Sequence, residues 1–195
     1  MDRRSFVIGS AAAAAALRTS FAQDAYPTRA ITVINPFPPG GAVDVVMRPL
    51  AAILEPMVQK PVVIDTKAGA AGQVGAQVAA NAKPDGYTLL FAGNPIITIY
   101  PALYPQLPFN PKKDLVPVAL FARMPMALIA TSDNAATTVR QVVARARLMP
   151  GKINYAALGD GSTAHLTGEL FRAMSGAEIV HVNYNGGVPA INAVA

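Results

Sequence analysis

Apolar and polar positions along this chain switch repeatedly between the two-residue period of strands and the longer period of helices. Ile31-Thr32-Val33-Ile34 is a β-branched run that reads as a buried strand, and from Val43 the apolar positions Val43, Val46, Met47, Leu50, Ile53, Leu54 and Met57 recur at helical spacing. Pro61 to Asp65 predicts a second strand. A Gly/Ala-rich opening over 69–75 leads into a helix to about Ala82, Lys83-Pro84-Asp85-Gly86 forms a turn, and Tyr87 to Ala92 predicts a third strand of the fully buried kind. This is a βαβαβ unit. With parallel strands, Gly93-Asn94-Pro95 lies at the same carboxyl edge as the turn after the first strand, the edge where ligands of open α/β sheets bind.

The second half repeats the pattern. Residues 101–114 carry Pro101, Pro105, Pro108 and Pro111 and read as a proline-punctuated connection running into Leu115–Leu120, with a further strand over Met126–Ala130. Thr131-Ser132-Asp133-Asn134 is a polar break and the expected crossing to a second domain. Val139 to Leu148 is a basic amphipathic helix stopped at Pro150-Gly151, its arginines read as a solvated face. Ile153–Ala157 predicts a strand, Leu158 to Thr163 a Gly/Ser-rich turn, His165–Phe171 a helix, Ile179–Val182 a strand and Asn183–Gly187 a turn, with a helix beginning at Val188.

The turn Asn35-Pro36-Phe37-Pro38-Pro39-Gly40-Gly41-Ala42-Val43-Asp44 joins the first strand to the first helix. Its prolines stiffen the backbone, and its glycines place no side chain between their amides and whatever lies above the helix N-terminus. The free N–H groups of a first helical turn carry partial positive charge and accept an anion without Lys or Arg. On the residues alone, a tight βα connection that binds nothing fits equally well. Ser162 and Thr163 stand where an N-cap of the later helix is expected, so capping is the first assignment for both.

Composition narrows the chemistry. Asp2-Arg3-Arg4-Ser5-Phe6-Val7, a short apolar run over 6–17 and Ser20-Phe21-Ala22 read as a signal peptide over residues 1–22, exported by the twin-arginine or the general secretory route. Its removal takes Arg3, Arg4 and Arg18 together with Asp2 and so trims the formal charge of +5 by two. No Lys/Arg run interleaved with aromatics supports nucleic-acid binding. The chain has no Cys, which excludes disulfides, thiolate metal sites and cysteine nucleophiles. No metal centre is expected from two histidines sixteen residues apart without an H-E-x-x-H motif. An exported serine hydrolase would need Ser162 with His165 or His181, but residues 160–164 read Asp-Gly-Ser-Thr-Ala rather than G-x-S-x-G. The G-x-x-G-x-x-G spacing over 69–75 matches neither a dinucleotide fingerprint nor a P-loop. No catalytic residue and no cofactor is assigned.

Taken in order, Pro36-Phe37-Pro38-Pro39-Gly40-Gly41 with Asp44, Gly69-Ala70-Ala71-Gly72 with Gly75, Pro84 to Leu90, Asp114-Leu115-Val116-Pro117-Val118, Gly161-Ser162 with His165-Leu166 and Gly168 to Phe171, and Tyr184 with Gly186-Gly187 resemble the extracytoplasmic solute receptors of tripartite tricarboxylate transporters, the Bug receptors. The resemblance implies a periplasmic-binding-protein-like α/β fold of two domains, 23–130 and 131–195, with a ligand cleft between them and the second domain incomplete. It implies a periplasmic protein that captures a small organic carboxylate and delivers it to a membrane permease, with backbone groups and ordered water holding the carboxylate. The chain departs from the family pattern at Thr66-Lys67, at Asn183 and Asn185, at Ala193, at Pro49 inside the first helix, and in length, so a truncated remnant of such a receptor is the alternative expectation. Phe37, Pro39, Gly40, Gly41 and Ala42 are expected to form the first ligand wall, with Asn94 beside it. Asp44 would repel an anion above it and is assigned first to the helix dipole, second to a ligand amino group. Gly161, Ser162, Thr163 and His165 supply the opposite wall with Tyr184, and His181 is assigned to structure.

Overall fold

The computed structural model of the chain describes residues 26–131 and 136–195. The signal peptide assigned to residues 1–22 lies outside them, as does most of the polar break expected at 131–134. Strand β1 (Ile31–Asn35) is followed by helix α1 (Ala42–Val58), strand β2 (Val62–Thr66), a 3-10 turn over Ala70–Gly72, helix α2 (Gln73–Ala80) and strand β3 (Thr88–Leu90). The three strands form a parallel sheet of order β2-β1-β3, with Val33 opposite both Ile64 and Leu89. This is the expected βαβαβ unit, because its β-branched runs are bounded by Gly/Pro turns and joined by periodic helices. Helix α1 runs on through Pro49 and Pro56, burying Val43, Met47 and Ala51 against the sheet while Ile53 and Met57 remain exposed.

Three expectations need correction. The third strand is shorter than Tyr87–Ala92 and only half-buried, since β3 is an edge strand paired on one side to β1. The stretch 101–114, expected as an irregular connection, is partly helical, and the residues just before it are helical too. Residues 95–114 contain a π-helical turn over Pro95–Ile99, helix α3 (Tyr100–Leu103) and helix α4 (Pro111–Asp114). Pro95, Pro101 and Pro111 sit in first turns, where a missing N–H costs nothing and the fixed φ suits the helix. No strand forms over 126–130. The segment from Val116 to Ile129 is without regular structure and exposed, and no described strand lies alongside to pair with it.

The second half holds helix α5 (Val139–Leu148), strand β4 (Ile153–Leu158), helix α6 (Thr163–Ser175), strand β5 (Ile179–Tyr184) and helix α7 (Gly187–Val194). Strands β4 and β5 pair in parallel, with Tyr155 opposite His181 and Leu158 opposite Tyr184. Helix α5 begins at a capping box. Gln141 N–H donates to the Thr138 hydroxyl, and the Gln141 side chain accepts from Thr138 N–H. Two buried clusters are separate. Ala76, Ile96, Tyr100 and Phe109 centre the first, while Ala146, Ala177 and Ile179 with Tyr155 and Phe171 centre the second. Among the described residues no helix is long and apolar enough to cross a membrane.

Candidate functional site

Parallel strands send all their carboxyl ends to one edge, so each sheet gathers its strand-to-helix turns on a single rim. In this chain the two rims face each other. The Tyr104 hydroxyl donates to the Asp160 carbonyl oxygen at 2.9 Å. A Cβ built on Gly161 would lie 2.5 Å from Leu103 Cδ2 and 3.3 Å from Tyr100 Cε1, one on Gly159 3.3 Å from Ala71 Cβ, and one on Gly186 3.8 Å from Pro38 Cγ. The turns after β4 and β5 therefore lie against the turn after β1 and the helical segment after β3. Leu103 and Tyr104 were not expected at the site because they stand in the stretch 101–114 taken for a connection, and Tyr100 stands just before it.

The first turn is built from β1 outwards. Asn35 is fully buried; its Oδ1 accepts from Phe37 N–H at 3.1 Å, and its carbonyl accepts from Lys67 N–H at 2.8 Å. Gly40 takes φ +77°, which reverses the chain into the extended N-cap Gly41. No side chain caps α1 there. Val45 N–H makes the first intrahelical bond, to the Gly41 carbonyl, so the first-turn amides of Ala42 and Val43 keep the unmatched polarity that receives an anion. Gly40 does not share this freedom. Its N–H donates to Asp44 Oδ2 at 3.0 Å, so a side chain does stand on one of the two glycine amides expected to be clear of side chains. Arg48 Nε donates to the same oxygen at 2.9 Å. The Arg48 guanidinium and then the Gly40 amide hold the Asp44 carboxyl below the usual carboxylate range; the Asn35 amide adds the smallest share without reaching hydrogen-bond geometry. Among the described residues, Asn35 Nδ2 and Asp44 Oδ1 are buried without hydrogen-bond partners. Phe37 closes the turn from below, its ring meeting Gly72 and Gly93.

Asn94 stands exposed at the end of β3. Its Oδ1 accepts from Thr98 Oγ1 at 2.8 Å, which directs the carbonyl half of the amide to the helix and leaves the NH2 half as a donor.

The second turn closes on itself. Ser162 is the N-cap of α6, its Oγ accepting from His165 N–H at 3.2 Å, and His165 Nδ1 in return accepts from Gly161 N–H at 3.1 Å. Both side chains thus satisfy amides of their own turn, as in a capping box with His in the third position. Thr163 is the first residue of α6, and its carbonyl accepts from Thr167 Oγ1. The Ser162 hydroxyl meets the backbone N–H of His165 and not its imidazole, so no nucleophile–base pair is formed. Tyr184 ends β5 beside the Gly186 turn, half-buried.

His181 is the residue whose surroundings the chain order hid. Its ring lies 5.3 Å from Tyr155, stacked, and 4.5 Å from His165, because β4–β5 pairing sets His181 beside Tyr155 under the start of α6. Tyr155 is fixed in turn by a 2.9 Å bond from its hydroxyl to Glu169, and its pKa is pushed up to about 12, first by burial and then by that carboxylate.

Of the predicted site residues, the structure thus gathers Phe37, Pro39, Gly40, Gly41, Ala42 and Asp44 in one turn with Asn94 on the same rim, and Gly161, Ser162, Thr163, His165 and Tyr184 on the rim opposite.

A family described as "Tripartite tricarboxylate transporter family receptor" matches residues 46–195. Protein BugT of Bordetella pertussis is 36% identical over 192 residues, covering 98% of this chain and 59% of BugT. Among solved structures, Rpa4515 of R. palustris with adipate superposes at a TM-score of 0.83 with 34% identity, covering 87% of this chain and 56% of that one. MatC (Rpa3494) from Rhodopseudomonas palustris with bound malate gives 0.79 and 30%, covering 87% and 57%. The chain spans about half the length of the curated relatives it matches. It belongs to the tripartite tricarboxylate transporter receptor family, whose members are solute-binding receptors with an α/β fold of parallel sheets.

Proposed function

We propose that the chain captures a small organic carboxylate between its two rims in the periplasm and presents it to the permease subunits of a tripartite tricarboxylate transporter. The observation that carries this reading is the uncapped N-terminus of α1, with free Ala42 and Val43 amides, facing the rim of a second sheet. Adipate and malate in the two solved relatives fit the same ligand class. Residues 23–130 form the first domain and 131–195 the part of the second present in this chain. Gly41 and Ala42 receive the carboxylate through backbone N–H groups and water, Phe37 and Pro39 form the floor, and Asn94 donates from the side. Gly161, Ser162, Thr163, His165 and Tyr184 form the opposing wall, offering the start of α6. An anion touching both walls favours the closed arrangement over the open one, and that differential drives capture. Asp44 is turned onto Gly40 and Arg48, so its charge is neutralised before the ligand arrives.

The test is a thermal melt with and without a panel of di-, tri- and aromatic carboxylates. An acid at 100 times its dissociation constant adds about 2.7 kcal/mol to stability. A transition raised by one class of acid supports the reading and identifies the class; a transition unmoved by every acid overturns it.

A further inference from the structure

We propose that Asp160, His165 and His181 form a binding site for a divalent transition-metal ion of the zinc type, which shares His165 with the second wall of the carboxylate site. One ligand atom from each of the three residues can be chosen so that all lie within 4.8 Å of one another. Two imidazoles and a carboxylate are a ligand set that suits zinc and its borderline neighbours and is poor for calcium or magnesium.

The spacing favours an ion over a direct contact. His181 Nδ1 lies 3.7 Å from Asp160 Oδ1, too long for a hydrogen bond. Two ligands on one tetrahedral ion with bonds of about 2 Å stand about 3.3 Å apart, so a shift of a few tenths of an ångström brings this pair into coordination. Asp160 is free to make it, its side chain being 77% exposed on a glycine-flanked turn. His181 is otherwise unengaged. Its Nε2 is buried with no hydrogen-bond partner, and stacking against Tyr155 and His165 is what orients the ring. Nδ1, 3.7 Å from Asp160 Oδ1 and without a hydrogen-bond partner among the described residues, is the nitrogen an ion at this spacing takes.

His165 completes the set at the expense of one bond. A neutral imidazole has one lone-pair nitrogen, and at present Nδ1 uses it to accept from Gly161 N–H. Ligation through Nδ1 displaces that donor, and ligation through Nε2 puts the ring proton on Nδ1 and breaks the same bond. Either way the Gly161 amide is released, a neutral hydrogen bond exchanged for a metal–imidazole bond. The ion then adds full positive charge to a rim that has no cationic side chain of its own in the 158–165 turn.

The test uses the untagged chain titrated with zinc chloride by calorimetry, without any carboxylate. His165 and His181 are its only histidines and it has no cysteine, so binding at other imidazoles or thiols does not obscure the result. The expected result is one saturable site, a shift of the Gly161 amide resonance on saturation, and at least tenfold weaker binding in both Asp160→Asn and His181→Asn. Asp160→Asn alters an exposed turn and alone decides the case if circular dichroism shows His181→Asn to be misfolded. No saturable binding, or saturable binding undiminished in Asp160→Asn, overturns the proposal. Because no carboxylate is present, this outcome is independent of whether the carboxylate reading stands.

Discussion

The turn after β1 and the turn after β4 are two versions of one device, a glycine-rich strand-to-helix connection on the carboxyl rim of a parallel sheet. In each the side chain four residues on takes a glycine N–H, and they differ in whether a side chain caps the third helical amide. After β4, Ser162 and His165 satisfy the turn from within. After β1, no side chain caps the helix, and the one acidic group nearby, Asp44, is held on Gly40 by Arg48. The difference teaches that glycine content and helix polarity do not by themselves make an anion site. What matters is whether a local side chain has already taken the amides. By that measure α1 keeps one more open amide than α6, which is why we propose the first turn as the acceptor and the second as the opposing wall.

The largest expected effect comes from placing a carboxylate where the ligand's would sit. Gly41 has φ −75°, and a Cβ there would have Pro38 O at 3.4 Å as its nearest neighbour, so Gly41→Glu folds. It should lower carboxylate affinity by more than about a thousandfold, roughly 4 kcal/mol, in calorimetry. Unchanged affinity would remove the first turn from the site. Next is Gly161→Val, which combines φ +81° with a collision against Leu103 and the buried Tyr100. Strain and overpacking together should cost about 3 kcal/mol in denaturant unfolding. The corresponding glycine of the first turn, Gly40, also has positive φ but open space around its Cβ position, so Gly40→Ala should cost about 1 kcal/mol.

Asp44→Asn tests how the first turn keeps its charge neutral. Loss of the charge-assisted bonds from Gly40 and Arg48 should lower stability at neutral pH by about 1 to 2 kcal/mol in urea melts. The Asp44 pKa is lowered in the folded state, so its contribution is complete above the ordinary aspartate value of about 3.9 and is lost as pH falls through the folded value. The variant's stability should therefore fall less steeply than that of the unsubstituted chain below about pH 4. Ser162→Ala removes the α6 cap and should cost about 1 kcal/mol, as much as Gly40→Ala, with Ser162→Asp restoring it. A change in carboxylate affinity of more than about tenfold would show that the Ser162 hydroxyl touches ligand and is not only a cap.

Much of the fold was legible, because strands β1 and β2 are β-branched runs between Gly/Pro turns and α5 has a cap before Val139 and a stop at Pro150-Gly151. Other parts were hidden for identifiable reasons. Met126–Ala130 has the composition of a strand, but a strand exists only where a partner pairs with it, and local sequence does not report partners. Pro101 and Pro111 looked like breakers although both sit in first helical turns, which concealed Leu103 and Tyr104 facing the second rim. Both Gly-rich turns of the site could be read, but the fold-back of Asp44 onto Gly40 could not, since it depends on the reversal at φ +77°. His165 and His181 stand apart in the sequence and meet only through the parallel register of β4 and β5.

The central claim is that the first turn's amides receive the carboxylate while the second turn supplies a wall. Titration of a nitrogen-15-labelled chain with adipate or malate, followed amide by amide, tests it most directly. The account predicts saturable downfield shifts at Gly41, Ala42 and Val43, with smaller movements at Gly161 to Thr163. Shifts confined to 161–163, or resonances at 41–43 that stay still while the acid binds, would contradict it.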